Sequence, residues 1–264
     1  MSDELKFAIA TAQHAGEMLK KSFRKDVGER PKGLRDVVTK ADFSSQKFIT
    51  GEIRRNFPKH DIMGEESGAL KDEIDTGKSA KWLVDPLDGT VNYVAGIPAY
   101  CVSIALARGG EPKVGVIYDP TLGEMFYAER NRGAYLNGKR IFVTERPLRH
   151  SLIGMSFSKN FEKTMRMLDV VKKLQQQVRR FRSFGSTSLE AAYVACGRTA
   201  AYVNPSSTPW DFAAAKVIVE EAGGVTGDAR GKPWQFGSTS VVAANSKETL
   251  SVISKAFLAA EKKG

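Results

Sequence analysis

The run Trp82-Leu83-Val84, followed at once by Asp85-Pro86-Leu87-Asp88-Gly89-Thr90, constrains this chain more than any other stretch. A short apolar run bounded by a turn signal reads as a buried strand. This one must release two carboxylates, three residues apart, into a turn built on Pro and Gly. Hard divalent cations such as Mg²⁺ take oxygen ligands in near-octahedral geometry and keep several waters, so two Asp side chains and a backbone carbonyl from one turn suit one or two ions. Gly89 lets the backbone approach a ligand closely, and the N–H groups of Gly89 and Thr90 can open a helix whose positive end faces phosphate. Read for structure alone, the same turn is an Asp-capped loop stiffened by Pro, and the local sequence leaves both readings open.

The surrounding pattern is mixed α and β. Leu5, Ile9, Ala12, Gly16, Leu19 and Phe23 share one helical stripe behind Ser2, a capping residue, and predict an amphipathic first helix. After a loop with Pro31 and Gly33, a second helix is expected from Phe43 to Asn56, with Phe48, Ile49 and Ile53 inward and Pro58 ending it. Short strands follow at 61–65 and 81–85, then a meander at 101–108, 114–118 and 124–129, punctuated by Gly109-Gly110 and Asp119-Pro120. The rhythm then changes to alternation: helix 161–177, strand 180–184, helix 188–196, strand 200–203 and helix 211–222, which ends at Gly223-Gly224. Strands near 225 and at 241–244 precede a last helix capped by Ser246. No repeat or Gly/Ser linker intervenes. The expected division is an N-terminal α+β half, 1–148, packed tightly on a C-terminal α/β half, 149–264.

Composition narrows the function classes. At 264 residues and 42% hydrophobic the chain can bury a sizeable core, which excludes disorder and a disulfide-stapled miniprotein. Cys101 and Cys196 lie far apart in apolar surroundings, the first turn is acidic, and no run nears eighteen apolar residues, so a reducing cytoplasmic setting without membrane insertion is expected. The formal charge of +10 is uneven: residues 1–150 hold 24 basic and 21 acidic residues, and residues 151–264 hold 16 and 9. Between Lys159 and Arg182 eight basic residues face two acids, either a solvated helix face or a place where Arg179, Arg180 or Arg182 reaches the far phosphate of a bisphosphate. A nucleic-acid groove with Phe181 and Phe184 as stacking faces is the weaker reading, because no recognised nucleic-acid motif accompanies the charge.

Other acids extend the picture. Asp42 closes Asp36-Val37-Val38-Thr39-Lys40-Ala41-Asp42 at a helix start, Glu65-Glu66 end a strand, and Asp211 follows Trp210 at another helix start. Each has a plain reading as a cap or a solvated strand end. Taken together, Asp36 to Asp42, Gly64-Glu65-Glu66-Ser67, Asp85 to Thr90, Gly185-Ser186-Thr187, Trp210-Asp211 and Glu221-Ala222-Gly223-Gly224 resemble, in order and spacing, the inositol monophosphatase family of lithium-sensitive, Mg²⁺-dependent phosphatases.

That resemblance implies a layered α-β-α-β-α sandwich, a site between the two halves and a homodimer. It implies that Glu65, Asp85 and the Leu87 carbonyl hold one metal and that Asp85, Asp88 and Asp211 hold a second. A third, weaker ion would lie near Glu65, and Mn²⁺ is able to substitute for Mg²⁺. Thr90, bonded to Asp42, would orient or deprotonate the attacking water, with Glu65 completing the catalytic set. Substrate would meet Asp88, Gly89, Thr90, Gly185, Ser186, Thr187, Asn204 and Asp211. Asn204 departs from the family pattern, which commonly has Glu seven residues before the Trp-Asp acid. The resemblance implies release of phosphate from inositol monophosphate by a metal-activated water; the lost charge makes fructose 1,6-bisphosphate and other sugar phosphates the alternative, with 3′-phosphonucleotides and histidinol phosphate as minor ones. Competing phosphatase chemistries fail on spacing: Asp85 and Asp88 are not Asp-x-Asp, and Ala107 and Tyr202 stand where a Cys-x5-Arg enzyme needs Arg. The segment 133–139 continues with Arg140 where a nucleotide P-loop needs Ser or Thr, and reads as a hairpin turn.

Overall fold

The computed structural model describes residues 1–25, 28, 30–33, 36–65 and 79–262. Glu66 and Ser67 lie outside the described residues. Seven strands form one sheet in the order β3 (Asp61–Gly64), β4 (Ala80–Asp88), β5 (Cys101–Arg108), β6 (Glu111–Asp119), β7 (Glu124–Glu129), β8 (Ala134–Leu136) and β9 (Lys139–Ile141). β3 and β4 run parallel, and every later neighbour is antiparallel. The second sheet has five strands in the order β11 (Arg180–Arg182), β10 (Leu152–Met155), β12 (Ala201–Asn204), β14 (Val241–Ala244) and β13 (Val225–Gly227). Asn137 and Gly138, both at positive φ, form the turn between β8 and β9, so 133–139 is the expected hairpin.

Helices fill the layers between and outside these sheets. α1 (Asp3–Ser22) and α2 (Lys40–Asn56) cover one face of the large sheet, where Leu5, Ala12, Leu19, Ile49 and Ile53 pack on Trp82, Val84, Ile104 and Val116. The opposite face carries Leu83, Ala105, Ile117 and Phe126, which meet α5 (Thr187–Ala195) and α6 (Pro209–Glu221). The other side of that helical layer packs on Tyr202, Val241 and Ala243 of the small sheet. Its outer face, with Ile153, Val203 and Val242, is closed by α4 (Phe161–Leu174) and α7 (Lys247–Glu261). Strand alternation thus sends successive residues to different layers, and the result is the expected α-β-α-β-α sandwich. α5 and α6 are apolar nearly all round because both their faces are covered.

Local chemistry sets the ends of these elements. Ser2 and Ser246 cap α1 and α7 through bonds from Leu5 N and Thr249 N. α6 ends where Gly223, at φ +89°, lets its own N–H and that of Gly224 return to Glu220 and Val219. Three expectations are corrected. α2 begins at Lys40, ahead of Phe43, because Thr39 caps it. Residues 30–33 (β1) and 36–38 (β2), expected as loop, pair as antiparallel strands. β4 continues to Asp88 where the sequence suggested an end at Asp85.

That last correction positions the site. Asp85 faces Ser103 and Asp88 faces Cys101, so three steps along β4 match two along β5. The extra residue is a bulge. Strict alternation would put residues three apart on opposite faces. The bulge puts both carboxylates on the face that looks toward α5 and α6.

Candidate active site

The geometry brings four acids into one electrostatic field. Gly64 pairs with Val84, which sets Glu65 beside Asp85 at the next register position. Asp85 is 2% exposed and accepts Leu87 N at 3.1 Å. Burial, then the charges of Glu65, Asp88 and Asp211, push its carboxyl well above the usual carboxylate range. Asp88 is raised by burial, against stabilising bonds from Ser188 N (2.5 Å), Ser186 Oγ (2.8 Å) and Thr187 N (3.2 Å) at the start of α5. Asp211 is pushed up to about 6, first by burial and then by Asp88. The charged groups destabilise one another wherever nothing positive lies between them.

Asp211 and a fifth acid, Asp42, also close helix-capping boxes. Asp42 is the third residue of α2, and its Oδ2 takes Thr39 N at 2.8 Å and Thr39 Oγ1 at 2.6 Å. Asp211 holds the same place in α6, accepting Thr208 N and Thr208 Oγ1 at 2.8 Å each, with Ser207 Oγ at 3.3 Å. Both are capping boxes with Thr at the cap, and Pro209 opens α6, where its missing N–H costs nothing. The other oxygen of Asp42 accepts Thr90 Oγ1 at 3.1 Å, and the same hydroxyl lies 2.9 Å from the Leu87 carbonyl. One hydroxyl proton serves two acceptors, so the Thr90 oxygen keeps lone-pair capacity toward the site. Gly89 turns the chain into the short helix α3 (Thr90–Val94) at φ +95°, and a Cβ there would stand 2.8 Å from the Ala99 carbonyl oxygen.

The donors expected to bind substrate are joined to the protein itself. Ser186, fully buried, and the Thr187 amide bond Asp88. Thr187 Oγ1 receives Asn204 Nδ2 at 3.0 Å and the Tyr202 hydroxyl at 3.1 Å, and Asn204 Oδ1 accepts Ser206 N at 2.9 Å. Gly185, at φ +80°, and Phe184 direct their amides to Glu190 Oε1. Arg179 lies at the far end of the small sheet, lining a separate cavity with Leu152 and Ala200. Arg180 and Arg182 turn back onto neighbouring carbonyls.

Sequence reasoning missed Ser188, whose amide holds Asp88 while its hydroxyl bonds the Asp211 carbonyl at 2.8 Å. It also missed Glu190. Thr39 and Thr208 were legible as Thr-x-x-Asp boxes. Cys101 is buried beside Asp88 and its thiol is pushed up by burial, so it is no nucleophile.

Among the described residues, no group of three or more His, Cys, Asp or Glu side chains is arranged to hold a metal ion. Asp88 and Asp211 instead turn toward the α5 amides and Thr208. The donor set still fits a hard cation in kind. It is all oxygen, the charges of its neighbours raise Asp85 and that of Asp88 raises Asp211, and Oδ1 of Asp85, Asp88 and Asp211 each takes one donor where an oxygen offers two lone pairs.

Comparison with known proteins identifies the family. Residues 1–261 match the model of the inositol monophosphatase family. The chain is 38% identical over 252 residues to inositol monophosphatase 1 of Solanum lycopersicum, covering 93% of this chain and 91% of that protein. It is 37% identical over 236 residues to a fructose-1,6-bisphosphatase/inositol-1-monophosphatase of Thermotoga maritima, covering 87% and 86%. A solved IMPase structure from Thermotoga maritima superposes with a TM-score of 0.88 at 34% identity, covering 99% of both chains. The chain belongs to the inositol monophosphatase family, whose members are hydrolases of phosphoric monoesters.

Proposed function

We propose that this family member releases phosphate from inositol monophosphate with Mg²⁺ as cofactor, fructose 1,6-bisphosphate and other sugar phosphates being the alternative substrates. The observation that carries the reading is the convergence of Glu65, Asp88 and Asp211 charge on buried Asp85, next to the Thr90–Asp42 pair. Glu65, Asp85 and the Leu87 carbonyl would hold one ion, Asp85, Asp88 and Asp211 a second, and Glu65 would neighbour a third. Bound there, Mg²⁺ would lower the pKa of a water and neutralise charge on phosphate oxygens.

The chain's own residues carry the proton. Asp42 is fixed by Thr39 through one oxygen, which leaves the other for Thr90. Thr90 Oγ1 accepts a proton from the attacking water while passing its own to Asp42 Oδ1. As the new P–O bond forms, the ester P–O bond breaks, and the departing oxygen takes a proton from solvent. Burial of Asp42, 1% exposed, keeps the pair away from bulk water.

Substrate choice turns on Asn204. Its amide and carbonyl are joined to Thr187 and Ser206, so a sugar ring meets neutral groups there. This supports the sugar phosphates beside inositol monophosphate, as does the two-activity name of the Thermotoga maritima relative. The proposal includes a homodimer acting in the cytoplasm. Among the described residues no helix is long and apolar enough to cross a membrane.

A panel measuring phosphate release from inositol monophosphate, fructose 1,6-bisphosphate, histidinol phosphate and a 3′-phosphonucleotide, with Mg²⁺ and with EDTA, tests the reading. Mg²⁺-dependent release from the first two is expected, and Asp88→Asn or Asp211→Asn should abolish it in a folded protein. Turnover near that of the wild type in either variant would refute the ligand assignment.

A further inference from the structure

A second cavity, about 180 Å³, opens where the N-terminal ends of β10 and β12 meet the exit of α5. It is distinct from the acid cluster. β10 and β12 are parallel, and Ala200 lines this cavity while Asn204 lies four residues on, roughly 13 Å away at strand rise. Arg146, His150, Arg179 and Arg198 line it together with Ser151 and Thr199, and no Asp or Glu is among its lining residues. Arg198 is held from outside by Glu124, Nη1 to Oε2 at 2.6 Å, and stacks on Tyr193. Neither Arg146 nor Arg179 pairs its side chain with a carboxylate among the described residues.

An independent feature points the same way. Thr199 is 3% exposed and its Oγ1, buried, has no hydrogen-bond partner. Its backbone N–H is used by Tyr193 O. An unsatisfied buried hydroxyl is costly unless something accepts from it. Ser151 differs, because its hydroxyl is satisfied by the carbonyls of Arg146 and Pro147. The larger cavity of about 660 Å³ near α7 differs, since its two arginines, Arg166 and Arg230, both bond Glu261, and Asp228 lines it beside Lys163 and Lys232.

We propose that the smaller cavity binds a compact phosphate-type oxyanion, held by the Arg146 and Arg179 guanidiniums and receiving the Thr199 hydroxyl proton. Planar guanidiniums match phosphate oxygens, and charge-assisted bonds are the strong ones. A cavity of about 180 Å³ has room for inorganic phosphate or the head of a small monoester. The bound anion would join the segment before β10, the lead into β11 and the exit of α5.

Calorimetric titration in EDTA, at constant ionic strength and with chloride as control, tests this without phosphate entering a metal-loaded catalytic site. Inorganic phosphate and glycerol 2-phosphate form the two arms. Wild type should bind phosphate saturably; matching affinity for the ester would show a monoester head to be the ligand, and a much weaker one free phosphate. Arg146→Gln/Arg179→Gln should weaken binding by more than about tenfold, and Thr199→Val by about tenfold. Thr199→Val removes an unpartnered hydroxyl and keeps the shape, so it should fold and retain Mg²⁺-dependent hydrolysis. Absence of saturable binding in the wild type, or affinity unchanged in both variants, overturns the proposal. Hydrolysis is read separately, so either outcome leaves the catalytic assignment standing or falling on its own panel.

Discussion

Glu190 gives the sharpest link between this structure and a measurable pH dependence. It is 1% exposed on α5, its Oε1 takes the amides of Phe184 and Gly185 at 2.9 and 3.1 Å, and its Oε2 is buried without a partner. Burial first, with the charge of Asp88 adding to it, outweighs the stabilising backbone amides of Phe184, Gly185 and Met155 and pushes the carboxyl from 4.5 up to about 8. The folded protein therefore holds a proton that the unfolded chain has released between those values. Stability from this group is complete below pH 4.5 and is lost as pH rises through 8. Each pH unit in that window costs roughly 1.4 kcal/mol, on the order of 5 kcal/mol across it. Glu190→Gln keeps the accepting oxygen for Phe184 and Gly185 but cannot titrate. Urea unfolding of both proteins in EDTA at pH 5, 6, 7 and 8 isolates the group, because the other acids appear in both. The wild type should lose ground to the variant steadily as pH rises. Parallel profiles would refute the reasoning, since a Glu190 ionised in both the folded and the unfolded chain over this range would add no pH dependence of its own to the wild type.

Three further outcomes are expected. Thr90→Ala should slow the chemical step by about 10² to 10⁴ in single-turnover experiments while Thr90→Ser restores much of it, and an unaltered rate in Thr90→Ala would remove the Asp42–Thr90 relay. Gly89→Ala should lower stability by about 1–3 kcal/mol from the positive φ alone, and more because its Cβ meets the Ala99 carbonyl that Asn92 binds; thermal melting identical to the parent would contradict the strained turn. Lithium should inhibit hydrolysis in competition with Mg²⁺ at one weak site, and rates insensitive to Li⁺ would count against three-ion loading.

How much of this was legible in the residues can be judged one at a time. The layered sandwich was legible through the family resemblance; the residues themselves gave a continuous apolar run, Trp82-Leu83-Val84, as a strand covered on both faces needs, with Trp82 and Val84 in one layer and Leu83 in the other. The pairing of residues 30–38 was not, since Pro31 and Gly33 are loop signals and only the partner strand overrides them. The bulge at Asp85–Asp88 was also hidden. Register is a property of two strands, and the count of residues opposite Ser103 and Cys101 appears only when β5 is in place. For Asp42 and Asp211 the sequence posed a choice between cap and site, and the structure shows that the choice was false. Each closes a Thr-x-x-Asp box, and in doing so fixes its carboxylate at the positive end of a helix, where Asp42 keeps an oxygen for Thr90 and the charge of Asp211 bears on Asp85. A cap is the cheapest rigid mount that a loop-to-helix junction offers a carboxylate. Two separate junctions using it here explain how carboxylates can be held close to buried Asp85 and Asp88: the helix starts supply part of the positive potential that the crowded charges require.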